Sequence, residues 1–300
     1  MATKAVSSKC VLIVGASLCV LFTPVTWSEP IVALVGDSYR LKVMRDLAAD
    51  EGSEIRSRNK IEALQSKSTG VTLRTPMPAA GVTRVADILQ DADIALIVVD
   101  ATIGPTDIVR EHILIARQAR VPMLALLLGN VARLQAGAPK ESAELLAIEA
   151  EEIRALLSAY DLDDATFRVY YDAEAPGVAA QGAAPGSREA LRALSNFATR
   201  RIRPAAMGQV SEIWAAVYLL TDSETAGKAT ALAPGDTIVL WSEGVQSTAK
   251  LSSVSTYQPG EFREMSLTLV APIAAAEGSR LLLVRGGNVV GIGAITQIMQ

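Results

Sequence analysis

Residues 94–128 read IALIVVDATIGPTDIVREHILIARQARVPMLALLL, and this stretch decides the fold. Ile94 to Val99 is apolar at every position, and so is Pro122 to Leu128. A strand with one wet face would alternate, so unbroken apolar runs of this length predict strands covered on both faces. Between them, Ile108 to Arg120 carries Ile108, Ile113 and Ile115 in a helical setting. Strand, helix and strand in that order form a crossover unit of a parallel sheet.

Working outward, the same alternation continues on both sides. Ile31 to Val35 reads as a buried strand, followed by a turn at Gly36-Asp37 and a helix through Ala48. Downstream come a long Glu-rich amphipathic helix from Lys140 to Tyr160, a strand from Phe167 to Tyr171, and a helix from Ser187 to Arg203. The Ala/Gly/Pro-rich stretch 173–186 reads as a loop within this domain. Together these elements predict a doubly wound α/β domain with a parallel sheet over residues 29–203.

After Pro204 the texture changes. Ser211–Leu220, Thr237–Trp241, Met265–Val270, Arg280–Val284 and Val289–Ile295 read as strands, punctuated by Pro234-Gly235, Pro259-Gly260 and Gly286-Gly287. No helical pattern intervenes, so residues 204–300 predict a small antiparallel barrel or sandwich.

Composition narrows the chemistry. Half of the 300 residues are hydrophobic and only 4% aromatic, which fits an aliphatic globular core rather than disorder. The net charge is −4, and the densest cationic cluster, Arg200-Arg201-Ile202-Arg203, suits a helix C-terminus better than a phosphate-tracking surface. The two cysteines, Cys10 and Cys19, precede the folded body, which therefore has no thiolate ligands or disulfides. His112 is the only histidine and falls within a helical pattern, where a structural role is expected.

Residues 1–28 form a separate unit. Lys4 and Lys9 precede an uncharged apolar run from Cys10 to Phe22, and Thr23 to Glu29 adds a proline and small residues. That order matches a signal peptide, with an uncleaved signal-anchor using residues 10–27 as the variant. The expected location is exported (periplasmic or extracellular) or membrane-anchored, with a misread start and a cytoplasmic protein as the alternative.

Three passages carry a resemblance to the elongation factor Tu family of translation GTPases. Ala101 to Pro122 keeps the family's REHIL.ARQ..VP core at Arg110 to Pro122. Thr69-Gly70-Val71-Thr72-Leu73 is similar to the family's first switch. Leu267 to Ala274 and Gly286 to Gly293 resemble the end of its third domain. The resemblance implies a GTPase domain joined directly to the third domain, with the middle barrel missing. That barrel helps hold the aminoacyl end of tRNA in the family, so delivery of aminoacyl-tRNA is not expected here.

The resemblance also implies a nucleotide site, and its motifs are altered. A P-loop wraps phosphate with backbone, neutralises it with lysine and binds magnesium through a hydroxyl. In Gly36-Asp-Ser-Tyr-Arg-Leu-Lys42-Val43 the spacing of Gly36 and Lys42 survives. Leu41 stands for the second glycine and Val43 for the hydroxyl. The second switch, Asp-x-Pro-Gly-His in the family, reads Arg74-Thr75-Pro76-Met77-Pro78. The guanine-reading Asn-Lys-x-Asp reads Asn130-Val131-Ala132-Arg133, and Asp172-Ala173-Glu174 replaces the last base-contacting loop. In the third domain, Glu224 to Lys228 stands for a tRNA-contacting loop.

Gly36, Lys42, Thr72 and Asn130 are therefore candidate remnants of a cofactor site, able at most to hold residual GTP or GDP. Their bland reading is a turn glycine, a solvated lysine, an ordinary threonine and a loop asparagine. No catalytic residue, metal site or cofactor is expected. The expectation is a factor-Tu-like pseudo-GTPase acting through contacts with a protein partner; the alternative is a divergent elongation-factor-type GTPase that binds GTP in the cytoplasm.

Overall fold

A computed structural model describes residues 29–162, 167–174, 186–196, 208–252 and 254–299. The apolar run 10–22, the basic cluster 200–203 and most of the 173–186 loop lie outside them.

The first domain runs β1 (Ile31–Gly36), α1 (Tyr39–Glu51), β2 (Arg56–Arg58), β3 (Ile61–Gln65), β4 (Thr72–Pro76), α2 (Val82–Asp91), β5 (Ile94–Asp100), α3 (Asp107–Gln118), β6 (Met123–Gly129), α4 (Val131–Gly137), α5 (Ser142–Ala159), β7 (Arg168–Tyr171) and α6 (Ser187–Ser195). Its seven strands lie in the order β2-β3-β4-β1-β5-β6-β7. The five from β4 to β7 in that order are parallel, with Val32 beside Ile94 and Ile94 beside Met123 at their starts. Helices α2, α3 and α5 cover one face, and α1 and α6 the other.

The sheet departs from the all-parallel expectation at one edge, where β2, β3 and β4 are antiparallel. Asn59 and Lys60 join β2 to β3 with both φ angles positive, at 51° and 62°. Two such residues make the tight turn whose twist suits a hairpin. All three residues of β2 are exposed, so the sequence carries no apolar run there to announce a strand.

The second domain is a closed barrel of β8 (Gly208–Leu219), β9 (Thr237–Ser242), β10 (Val245–Leu251), β11 (Phe262–Ala275), β12 (Arg280–Arg285) and β13 (Asn288–Met299), in the order β10-β11-β8-β13-β12-β9. Closure leaves no free sheet edge, which settles the choice between barrel and sandwich. Strand β10 (VQSTAKL) is too polar to read as a buried strand, because only alternate residues face the barrel core. Its partner β9 turns into it through Glu243 and Gly244, again with two positive φ angles.

The domains share apolar core. Trp241, Leu282, Val284, Val289 and Ile292 of the barrel belong to the same buried cluster as Val85 and Ile88 of α2 and Ile113 of α3. Polar contacts flank this seam. Trp241 Nε1 donates to Asp87 at 3.0 Å, and Arg120 donates to the Gly278 carbonyl at 2.7 Å. Arg280 donates to the Arg117 carbonyl. Among the described residues, no helix is long and apolar enough to cross a membrane.

Candidate functional site

In an open α/β sheet, ligands bind where adjacent strands send their connections to opposite sides. Here that point lies between β1 and β5. The chain leaves β1 through α1 towards β4, and leaves β5 through α3 towards β6. The carboxyl ends of β1, β5, β6 and β7 bring together Asp37, Asp100, Asn130 and Asp172.

The turn after β1 is too short to cradle phosphate. Helix α1 begins at Tyr39, so only Asp37 and Ser38 separate it from Gly36. Gly36 is required by packing: its φ is +101°, and a Cβ there would meet the Val98 carbonyl oxygen at 2.2 Å. Its amide points into the core, donating to His112 Nδ1 at 2.7 Å. Complete burial holds the His112 pKa down to about 3, so the ring is neutral with its proton on Nε2.

Side chains then seal the crevice. Arg40, buried at 7% exposure, donates to the carbonyls of Gly36 and Asp37 at 2.9 Å and of Pro76 at 3.0 Å. Its guanidinium thereby ties the end of β1 to the end of β4. Asp37 accepts from Thr106 Oγ1 at 2.5 Å and from the Asp100 amide at 3.2 Å, while burial raises its pKa. Tyr39 fills the other half. Its ring lies against Gly129, where a Cβ would come within 2.1 Å of it, and its hydroxyl donates to Asp172 at 2.5 Å.

The candidate residues divide two and two. Gly36 and Asn130 come to the same edge of the sheet. Asn130 sits at φ 57° and donates from Nδ2 to Asp100 at 2.7 Å and from its amide to Asp172 at 2.8 Å. The adjacent Val131 amide reaches the other oxygen of Asp172 at 3.1 Å. Lys42 lies in the body of α1, exposed and paired with Asp46. Thr72 opens β4 and donates to Gln65 of β3 at 2.6 Å. The Lys42 ammonium also lies over the Tyr39 ring, 5.6 Å from its centroid. Because the antiparallel hairpin β2–β3 precedes Thr72, this threonine shares one strand with Arg74 and Pro76. Arg74 turns outward to Asp91 at 3.2 Å.

The local field opposes an anion. Glu149 of α5 is pushed up to about 7 by burial, then by Asp100, Glu152 and Asp37, so its carboxyl shares the crevice with other acids. Its Oε2 is buried with no hydrogen-bond partner. Among the described residues, no group of three or more His, Cys, Asp or Glu is placed to hold a metal ion.

Sequence reasoning picks out the loop but passes over its main occupants, Tyr39 and Arg40. Their signal is available: two bulky residues stand where a P-loop keeps close-approach backbone. The closing role of Asp37 and Glu149 has no such signature, since it depends on Thr106, Asp100 and the placement of α5. Comparison with models of known protein families finds none that matches this chain. The fold itself, a mixed α/β sheet domain followed by a six-stranded barrel, is compatible with a GTPase-plus-barrel arrangement.

Proposed function

We propose that this chain is a factor-Tu-like pseudo-GTPase: a non-catalytic scaffold that works through contacts with a protein partner. The observation carrying the proposal is the sealed crevice. Arg40, through both terminal nitrogens, and Tyr39, through its hydroxyl, hydrogen-bond to Gly36, Asp37, Pro76 and Asp172 in the region where a nucleotide would lie. Phosphoryl transfer depends on charge stabilisation by lysine, metal and backbone N–H groups. Here Lys42 is solvated, the Gly36 amide is taken by His112, and the nearby carboxylates repel phosphate.

The shared seam supports the same reading. A motor-like GTPase needs its domains to move between nucleotide states, whereas one continuous apolar cluster holds these two together. Delivery outside the cytoplasm, or tethering through residues 10–27, belongs to this proposal on the sequence pattern alone.

A titration of the purified chain with fluorescent GDP, with and without magnesium, tests it. The proposal expects no saturable binding at high micromolar nucleotide. Tight, magnesium-dependent and guanine-selective binding would overturn it and restore the divergent GTPase.

A further inference from the structure

The hairpin at the sheet edge ends in a strand that buries nothing. Strand β2 is outermost in its sheet, and among the described residues no strand pairs with its other side. Arg56, Ser57 and Arg58 are all exposed. They pair with β3 in the register Arg56 to Ala63, Ser57 to Glu62 and Arg58 to Ile61. The two-residue turn Asn59-Lys60 closes on Arg58 and Ile61, so that pair exchanges the hydrogen bonds nearest the turn. Alternation along an antiparallel ladder then directs the Ser57 N–H and carbonyl away from β3, towards the open edge.

The side chains alternate as well. Arg56 and Arg58 share one face of the sheet with Ile61, Ala63 and Arg74, which continue their rows across β3 and β4. Ser57 stands on the opposite face beside Glu62. Arg74 is held by Asp91 at 3.2 Å, and Lys60 donates to the Ala79 carbonyl at 3.3 Å. Arg56 and Arg58 make no ion pair among the described residues, and neither does Glu54, the acid nearest to them in sequence.

Charge on a short edge strand is a general defence against edge-to-edge pairing, and here it has a specific result. Two copies of β2 meeting about Ser57 would set arginine opposite arginine in either direction. Like charges directly opposite destabilise a strand pair. The same geometry favours a strand that brings a carboxylate to each of those positions. Between them it favours an uncharged residue, because an acid beside Ser57 would share a face with Glu62. Two unpaired arginines at alternate positions of one face therefore select a pattern as well as a sign of charge.

We propose that β2 is a docking edge for an extended acidic segment of a protein partner, which adds to the sheet as a further strand with acidic residues at alternate positions. Its backbone meets Ser57, and its carboxylates meet Arg56 and Arg58. Main-chain bonds supply the pairing, and the planar donors of the arginines select the sequence. This rests on the protein-contact reading above and gives that contact a place and a chemistry. The two fail separately, since nucleotide binding is read with fluorescent GDP and edge docking with a peptide.

The test is fluorescence anisotropy of a labelled Glu-Thr-Glu-Thr-Glu-Thr-Glu peptide titrated with the full chain. Saturable binding is expected, with the same residues in block order, glutamates before threonines, about tenfold weaker. N-methylation of the threonine amides removes the donors facing Ser57 without altering charge, and is expected to weaken binding about tenfold. Arg56→Gln combined with Arg58→Gln should weaken it about tenfold too; both sites are exposed, so the thermal melt should not move. Ser57→Pro keeps the hairpin, because that N–H faces the open edge, and should abolish binding. No binding of the alternating peptide, equal binding of the block-ordered or N-methylated peptide, or unchanged affinity in the double arginine variant would overturn the proposal. An oligothymidylate bound as tightly as the peptide, and insensitive to Ser57→Pro, would identify a general anion surface and overturn it as well.

Discussion

Trp241 of the barrel is fully buried and donates its indole N–H to Asp87 of α2 at 3.0 Å, across the seam between the domains. Asp87 is also paired with Arg84 at 2.9 Å, so its carboxylate is already fixed when the indole meets it. Trp241→Phe keeps much of the ring volume and removes the bond, at an expected cost of about 1 kcal/mol. Trp241→Ala adds a cavity within the shared core, costing about 3–5 kcal/mol. Urea unfolding followed by far-UV circular dichroism is expected to be one transition in the native chain and two in Trp241→Ala, as the barrel and the α/β domain uncouple. A single transition in that variant would show that the seam is held elsewhere.

Gly36 fixes the sealed turn. Its φ of +101° is strained for any side chain, and the Val98 carbonyl oxygen would stand 2.2 Å from a Cβ placed there. That same carbonyl accepts the Asp37 amide at 2.9 Å, so it cannot retreat freely. Gly36→Ala is expected to destabilise by about 3 kcal/mol or more. Thermal melting checks this, and the glycine is a packing requirement whether or not any phosphate ever approaches it.

Tyr39 and Asp172 bear on the functional reading. Tyr39→Phe removes a hydrogen bond to a carboxylate that the Asn130 and Val131 amides still hold, at a cost of about 1–2 kcal/mol. Tyr39→Ala combined with Arg40→Ala empties both halves of the crevice. Fluorescent GDP is still expected not to bind, because Lys42 remains paired with Asp46 and the acidic groups Glu149 and Asp100 remain in the crevice. Recovery of micromolar binding in the double variant would mean that these two side chains alone close a working site.

The fold is legible where burial is two-sided. Ile94–Val99 and Met123–Leu128 announce central strands because every side chain is covered, and Ile108 to Arg120 announces the helix between them. The edge hairpin is not, since Arg56 to Arg58 face water on all sides and only the Asn59-Lys60 turn hints at it. Helix α2 is also easily missed, although Val82, Val85, Ala86 and Leu89 fall at helical intervals; it has neither a side-chain cap nor an acidic first turn to mark its start. In the candidate site, spacing locates Gly36 and Asn130. Lys42 keeps the P-loop spacing too, but its ammonium pairs with Asp46 and lies over the Tyr39 ring. The interdomain carboxylate Glu111, which accepts from Val289 at 3.2 Å and Thr225 at 3.3 Å, depends on chain separated by more than a hundred residues.

The pH dependence of stability follows from two buried groups with opposite signs. His112 has a folded pKa of about 3 against an ordinary 6.5. The unfolded chain therefore holds the extra proton between those values, and stability present above pH 6.5 is lost as pH falls towards 3. At 1.36 kcal/mol per unit the full effect is on the order of 5 kcal/mol. Glu149 stands at about 7 against an ordinary 4.5, so here the folded chain holds the extra proton and stability falls as pH rises from 4.5 to 7. Its carboxyl is partly solvated, which reduces that loss to about 1 kcal/mol. Between pH 4.5 and 6.5 the two slopes oppose each other and the larger His112 effect wins, so stability climbs with pH there, less steeply than on the acid side. Glu149→Gln removes one slope. Denaturant midpoints are expected to match the native chain at pH 4 and exceed it at pH 8, with stability in the variant climbing more steeply than in the native chain between pH 4.5 and 6.5. Equal midpoints at pH 8 would show that Glu149 reaches solvent freely and that the crevice is not closed over it.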